Sequence, residues 1–168
     1  LEEKIISIVG YTNAGKTTLL NALTGRKEYV ANELFATLDT RVGQLYMPSR
    51  QSTALLTDTI GFIKDLPPEL LNAFSSTLSE TIDADLLIHV VDGSDAQWLK
   101  HKQVVEDILQ RLGVAFTPRL LVINKADQIS QSIRVQIERQ LEEGSHTWIS
   151  AHDRSGLETL VEKIEDSL

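Results

Sequence analysis

Ile5-Ile6-Ser7-Ile8-Val9 runs directly into Gly10-Tyr11-Thr12-Asn13-Ala14-Gly15-Lys16-Thr17, and Thr18-Leu19-Leu20-Asn21-Ala22-Leu23 follows with helical spacing. A β-branched apolar run, a glycine loop and an apolar helical pattern in succession predict a buried strand turning into a helix N-terminus. The loop fits G-x-x-x-x-G-K-[ST]. Its backbone N–H groups and the first helical turn form a concave donor surface for the phosphates of a nucleotide, lined by Gly10 through Thr18. Lys16 is expected to reach the β- and γ-phosphates, and the Thr17 hydroxyl a Mg²⁺ ion. A glycine turn of purely architectural purpose would leave Lys16 unexplained.

The 168 residues suit one domain, 1–168, large enough to bury a substantial core. The chain starts at Leu1, not methionine, and is expected to be a piece of a longer multidomain protein. The absence of cysteine excludes thiol nucleophiles, disulfides and thiolate metal sites. It also suits a reducing, cytoplasmic setting. The four histidines are scattered, which argues against a zinc site. A net charge of −8 argues against a free-standing nucleic-acid binder, and no sequence-specific nucleic-acid contact is expected. No apolar run approaches the length of a bilayer span.

Helix one is expected from Lys16 to about Thr24, ended by Gly25. Residues 26–40 lose the pattern, and a long loop inside a compact domain is often functional. Val42–Met47 and Ser52–Thr57 flank Pro48-Ser49-Arg50-Gln51 as an antiparallel hairpin. Pro67 and Pro68 open a helix with Leu71, Phe74, Leu78 and Ile82 on one face. Leu86–Val91 is a buried strand in which His89 reads as a satisfied core or sheet-edge residue rather than a ligand, and Asp92, which could touch the active site, reads first as a cap for the next helix. That helix spans Gln97 to Leu112, with Trp98 packed. Arg119–Ile123 is a strand, Ile133–Leu141 a short helix, His146–Ile149 a strand and Gly156–Ile164 the last helix. Strands alternating with helices predict an α/β fold: six strands, mostly parallel with one antiparallel edge strand, and helices on both faces. Ligands of such sheets lie beyond the carboxyl ends of the strands. Four chemically suggestive stretches converge there.

The second stretch is Asp58-Thr59-Ile60-Gly61. A carboxylate after an apolar strand can hold Mg²⁺ through water, and the Gly61 N–H can approach a γ-phosphate. The third, Asn124-Lys125-Ala126-Asp127, selects the base. Asp127 can accept from the N1–H and 2-amino group of guanine, whereas adenine offers an acceptor at N1, so the nucleotide is expected to be GTP or GDP. Asn124 would brace the base and phosphate loop, and the Lys125 stem would cover the ring. The fourth is Ser150-Ala151, whose Ala151 N–H is placed to donate to guanine O6. Thr37 and Thr40 are the hydroxyl candidates for completing Mg²⁺ coordination when a γ-phosphate is present. Phe62 stands where a water-orienting glutamine is often found, and a phenyl ring cannot hydrogen-bond water. Slow intrinsic hydrolysis follows, unless another group substitutes. Asn13 has two readings: its carbonyl helps bind K⁺ beside the phosphates, or it bonds its own loop backbone.

These stretches resemble a G domain of the translational GTPase superfamily, and the match narrows to the HflX family. The narrower match rests on Gly10–Thr17, Leu34-Phe35-Ala36-Thr37-Leu38-Asp39-Thr40-Arg41, and Asp58-Thr59-Ile60-Gly61-Phe62-Ile63 continuing through Leu66-Pro67, Ala73-Phe74 and Ser76-Thr77-Leu78. The resemblance implies a Ras-like P-loop G domain in which Thr37 takes the γ-phosphate-sensing role and Phe62 replaces the catalytic glutamine. It also implies a nucleotide switch coupled to the large ribosomal subunit, with ribosome splitting or rescue in the full-length protein. Catalysis is then expected from Lys16, Thr37 and Gly61, with Asn13 if K⁺ contributes. The rivals are a GTP-regulated binding module with negligible hydrolysis and a GTPase of ribosome assembly or tRNA modification.

Overall fold

The computed structural model describes residues 3–25, 41–58 and 83–168. In chain order these form β1 (Ile5–Gly10), α1 (Lys16–Thr24), β2 (Arg41–Met47), β3 (Ser52–Asp58), β4 (Leu86–Asp92), α2 (Trp98–Arg111), β5 (Arg119–Asn124), α3 (Gln131–Arg139), β6 (His146–Trp148) and α4 (Leu157–Ser167). Short 3₁₀ turns occupy Pro48–Arg50 and Ala126–Gln128. The strands make one sheet in the order β2-β3-β1-β4-β5-β6. β2 pairs antiparallel with β3 at one edge, and the remaining pairs are parallel. The register sets Ile8 beside Asp58, Gly10 beside Val90, and Asp92 beside Asn124. The carboxyl ends of β1, β3, β4 and β5 therefore lie along one edge.

The central strands are apolar on both sides because helices cover both sides. Ile6, Ile8, Ile88 and Val90 pack with Leu19 and Leu20 of α1 and Leu160 and Ile164 of α4. Val9 and Leu87 face Val105 and Leu109 of α2, while Val91 and Ile123 meet Ile137 of α3. Leu19 and Leu20 are almost wholly buried, and burial of each stabilises the seating of α1 by about 1.5–3 kcal/mol. Gly25 closes α1 in the left-handed conformation, its N–H donating to Asn21 O at 2.9 Å.

Some boundaries differ from the sequence reading. α3 begins and ends two residues early because the Ser130 hydroxyl accepts the Ile133 N–H at 3.3 Å and caps it, leaving Leu141 outside the helix. Gly156 precedes α4 as its N-cap rather than opening it. Asp92 does not cap α2, whose N-cap is Gln97. His89 lies on central β4, not at a sheet edge, and its Nε2 has no hydrogen-bond partner among the described residues. Burial, with Lys102, Arg119 and Lys16 nearby, pushes its pKa down to about 3. The helix expected from Pro67, and Phe62, lie outside the described residues.

Candidate nucleotide site

Between β1 and α1 the loop turns tightly. The Ala14 N–H donates to Tyr11 O at 3.1 Å, and Asn13 (φ 66°) and Gly15 (φ 98°) both take left-handed backbone. Asparagine tolerates that region and glycine adopts it without a steric cost. Thr12, Asn13 and Thr18 are exposed, whereas Ala14 and Lys16 are buried. The Lys16 ammonium donates to Tyr11 O at 3.2 Å. Burial pushes its pKa down to about 8, against the opposing pull of the Asp58 charge. The Thr17 hydroxyl donates to a carboxylate oxygen of Asp58 at 3.0 Å, and Asp58 is buried at the end of β3. A hard-cation hydroxyl ligand and a carboxylate are thus adjacent beside the lysine, the donor set that Mg²⁺ favours.

The base motif is tied to this loop through Asn124. Its Nδ2 donates to Ala14 O at 2.9 Å, and its Oδ1 accepts the Ala151 N–H at 3.0 Å. One buried amide thereby joins the loops after β1, β5 and β6. The Ala151 N–H, expected to aim at a base carbonyl, is engaged with Asn124 in this structure. Lys125 takes left-handed backbone (φ 65°), and its ammonium donates to Asn13 O at 3.0 Å and to Asp92 at 2.9 Å. Asp127 is exposed, and one oxygen accepts from the Ser150 hydroxyl at 2.9 Å. Ser150 in turn accepts the Asp153 N–H at 3.1 Å, so the carboxylate is oriented by a fixed loop.

The preferred reading of Asp92 as a helix cap does not hold. One of its oxygens accepts from the backbone and hydroxyl of Ser94, and the other pairs with Lys125, so it anchors the lysine that spans the phosphate and base loops. The Asp92–Asn124 register across parallel strands produces this contact, and nothing local in Asp92-Gly93 announces it. Thr37, Thr40 and Gly61 lie outside the described residues. So does the side chain of Arg41.

A mostly parallel sheet that presents a G-x-x-x-x-G-K-T loop, an Asp58 carboxylate and an Asn-Lys-x-Asp motif on one edge defines the Ras-like P-loop GTPase class. Residues 5–125 match the family model for the 50S ribosome-binding GTPase, and the chain belongs to that family. It is similar to GTPase HflX of Caldanaerobacter subterraneus subsp. tengcongensis, at 46% identity over 164 residues, or 98% of this chain and 36% of that protein. The chain spans little more than a third of the length of such relatives. A GTP-binding protein of Sulfolobus solfataricus, solved in complex with GDP, is 30% identical with a TM-score of 0.72, covering 98% of this chain and 52% of that one. Era of Aquifex aeolicus shares the fold at 24% identity and a TM-score of 0.77, covering 100% of this chain and 57% of that one. Among the described residues no helix is long and apolar enough to cross a membrane.

Proposed function

We propose that this chain is the G domain, 1–168, of a longer cytoplasmic protein. It binds Mg²⁺·GTP, hydrolyses it slowly, and reports its nucleotide state through residues 26–41 and 58–75. The observation that carries the reading is the bridge made by Asn124, which couples the phosphate loop to the loops holding Asp127 and Ala151. The GDP complex of the Sulfolobus relative supports a guanine nucleotide.

Thr17, Thr37 and, through water, Asp58 would hold the Mg²⁺, whose charge offsets that of the β- and γ-phosphates. Gly10 through Thr18 supply backbone donors, and Lys16 delivers a buried positive charge to the γ-phosphate, where negative charge shifts during transfer to water. Gly61 donates its N–H to the same group. Phe62 removes the usual means of orienting water, so turnover waits on a partner or on K⁺ bound beside Asn13. The partner reading is the large ribosomal subunit, supported by the family description and by relatives named GTPase HflX. Ribosome splitting or rescue belongs to the longer protein.

Titration with fluorescent GDP and XDP tests base choice. Asp127→Asn should exchange guanine for xanthine preference, with guanine affinity falling by about 10²-fold or more. An unchanged guanine preference would overturn the assignment. Because of Phe62, a switch with negligible hydrolysis is the second reading. Single-turnover phosphate release with and without large subunits separates the two, and no release under either condition favours the second.

A further inference from the structure

The ring of Tyr11, second residue of the phosphate loop, lies flat on the imidazole of His101 from α2. The ring centroids are 3.9 Å apart and the planes 3° from parallel. His101 is held in turn, for its Nδ1 is hydrogen-bonded to the Asp95 carboxylate. The other oxygen of Asp95 accepts the Gln97 N–H at 2.9 Å, which fixes the turn leading into α2. The His101 and Asp95 side chains are 18% and 26% exposed, so the assembly is largely shielded from water. A cavity of about 30 Å³ is lined by Tyr11 and His101 together with His89, Asp95 and Trp98 among others.

Tyr11 matters to the loop through its backbone as well. Its carbonyl accepts both the Ala14 N–H that closes the turn and the ammonium of Lys16. A single residue therefore has its side chain seated on α2 and its oxygen holding the phosphate-facing lysine. The seat of the ring on α2 thus restrains the same residue that carries this oxygen.

We propose that His101 is a positioning residue for nucleotide binding: by stacking on Tyr11 it sets the phosphate loop and the carbonyl that holds Lys16, which couples the seating of α2 to nucleotide retention. This rests on the guanine-nucleotide reading above. By linkage, anything that displaces the first turn of α2 loosens the nucleotide, and bound nucleotide tightens α2.

Dissociation of fluorescent GDP from wild type, His101→Ala, His101→Gln and His101→Phe tests the proposal. Loss of the ring in the Ala and Gln variants should raise the dissociation rate by roughly two- to tenfold, the scale of an aromatic contact. His101→Phe keeps a flat ring without the Asp95 bond and should stay within about twofold of wild type. Guanine over xanthine selectivity should not move, since Asp127 is untouched. A His101→Ala rate equal to wild type, or His101→Phe as fast as His101→Ala, overturns the proposal. Should either variant fold poorly, as read by its unfolding midpoint without nucleotide, a double-mutant cycle of Tyr11→Leu with His101→Leu decides. Coupling of the two effects supports the contact, and strict additivity overturns it. Failure of the guanine reading itself shows earlier, as a wild-type protein without affinity for GDP.

Discussion

A Cβ placed on Gly15 would lie 2.3 Å from Nδ2 of Asn124, so the phosphate-loop backbone and the base-motif side chain are in direct contact. The contact and the left-handed φ of 98° independently require glycine at position 15. Gly15→Ala should therefore push Asn124 off Ala14 and weaken GDP binding by about 10²-fold or more. Asn124→Ala leaves the Ala14 carbonyl and the Ala151 N–H without their shared partner and should lower unfolding stability by about 2–4 kcal/mol. Urea unfolding without nucleotide measures the second effect. An unchanged midpoint would mean the bridge contributes nothing to the fold.

His89 predicts a pH dependence. Its pKa is near 3 in the folded protein and 6.5 is its ordinary value, so between those limits the unfolded chain binds the extra proton. Stability is full above about pH 6.5 and falls as pH drops toward 3. His89→Leu should flatten the slope of unfolding free energy between about pH 4.5 and 6.5, read by urea titration at several pH values. An equal slope in the variant would assign the acid sensitivity elsewhere.

Asp92 and Lys125 form a half-buried ion pair that presents the lysine to Asn13 O. Asp92→Ala removes the carboxylate and its bonds to Ser94, whereas Asp92→Asn retains an acceptor for either group. GDP affinity should fall by about five- to tenfold in the first and less in the second. Isothermal titration checks the order, and equal losses would assign the effect to the lost charge rather than to the hydrogen-bonded turn.

Glu165, buried near the end of α4, accepts the Ser49 N–H at 2.7 Å, while Arg50 donates to Glu165 O at 3.2 Å. These contacts pin the tip of the β2–β3 hairpin to the C-terminal helix. Glu165→Ala should cost about 1–2 kcal/mol, tempered because Ser49 is exposed and water can replace the lost acceptor. It should also raise amide exchange at the tip, as hydrogen-exchange mass spectrometry would detect. Unaltered exchange at residues 49–51 would leave the helix contact without a restraining role.

Most of the architecture was legible in the amino-acid order. Gly25 ends α1 and the 48–51 turn folds β2 back on β3, while the runs at 86–92 and 119–124 are apolar enough to lie inside a covered sheet. These are local matters of φ/ψ, capping and periodicity within a few residues. The convergence of Lys16, Asp58, Asn124 and Asp127 was also legible, because they follow strands and parallel strands send their ends to a common edge. Where the reading of Asp92 failed, the deciding partner was distant; the shift of α3 was local. Asp92 looked like a helix cap until strand register set it beside Asn124 and within reach of Lys125, and α3 shifted by two residues when Ser130 took the cap.

Gly10 through Thr17 dictated a tight turn into a helix whatever surrounded it, since the left-handed backbone at Asn13 and Gly15 is a local matter of φ/ψ. Neighbours in the chain could not say that Tyr11 rests on His101, that Asn124 joins three loops, or that Glu165 holds the hairpin. These contacts join residues 27 to 116 positions apart, and the packed sheet alone sets the relative placement of their elements. No local propensity encodes such a distance.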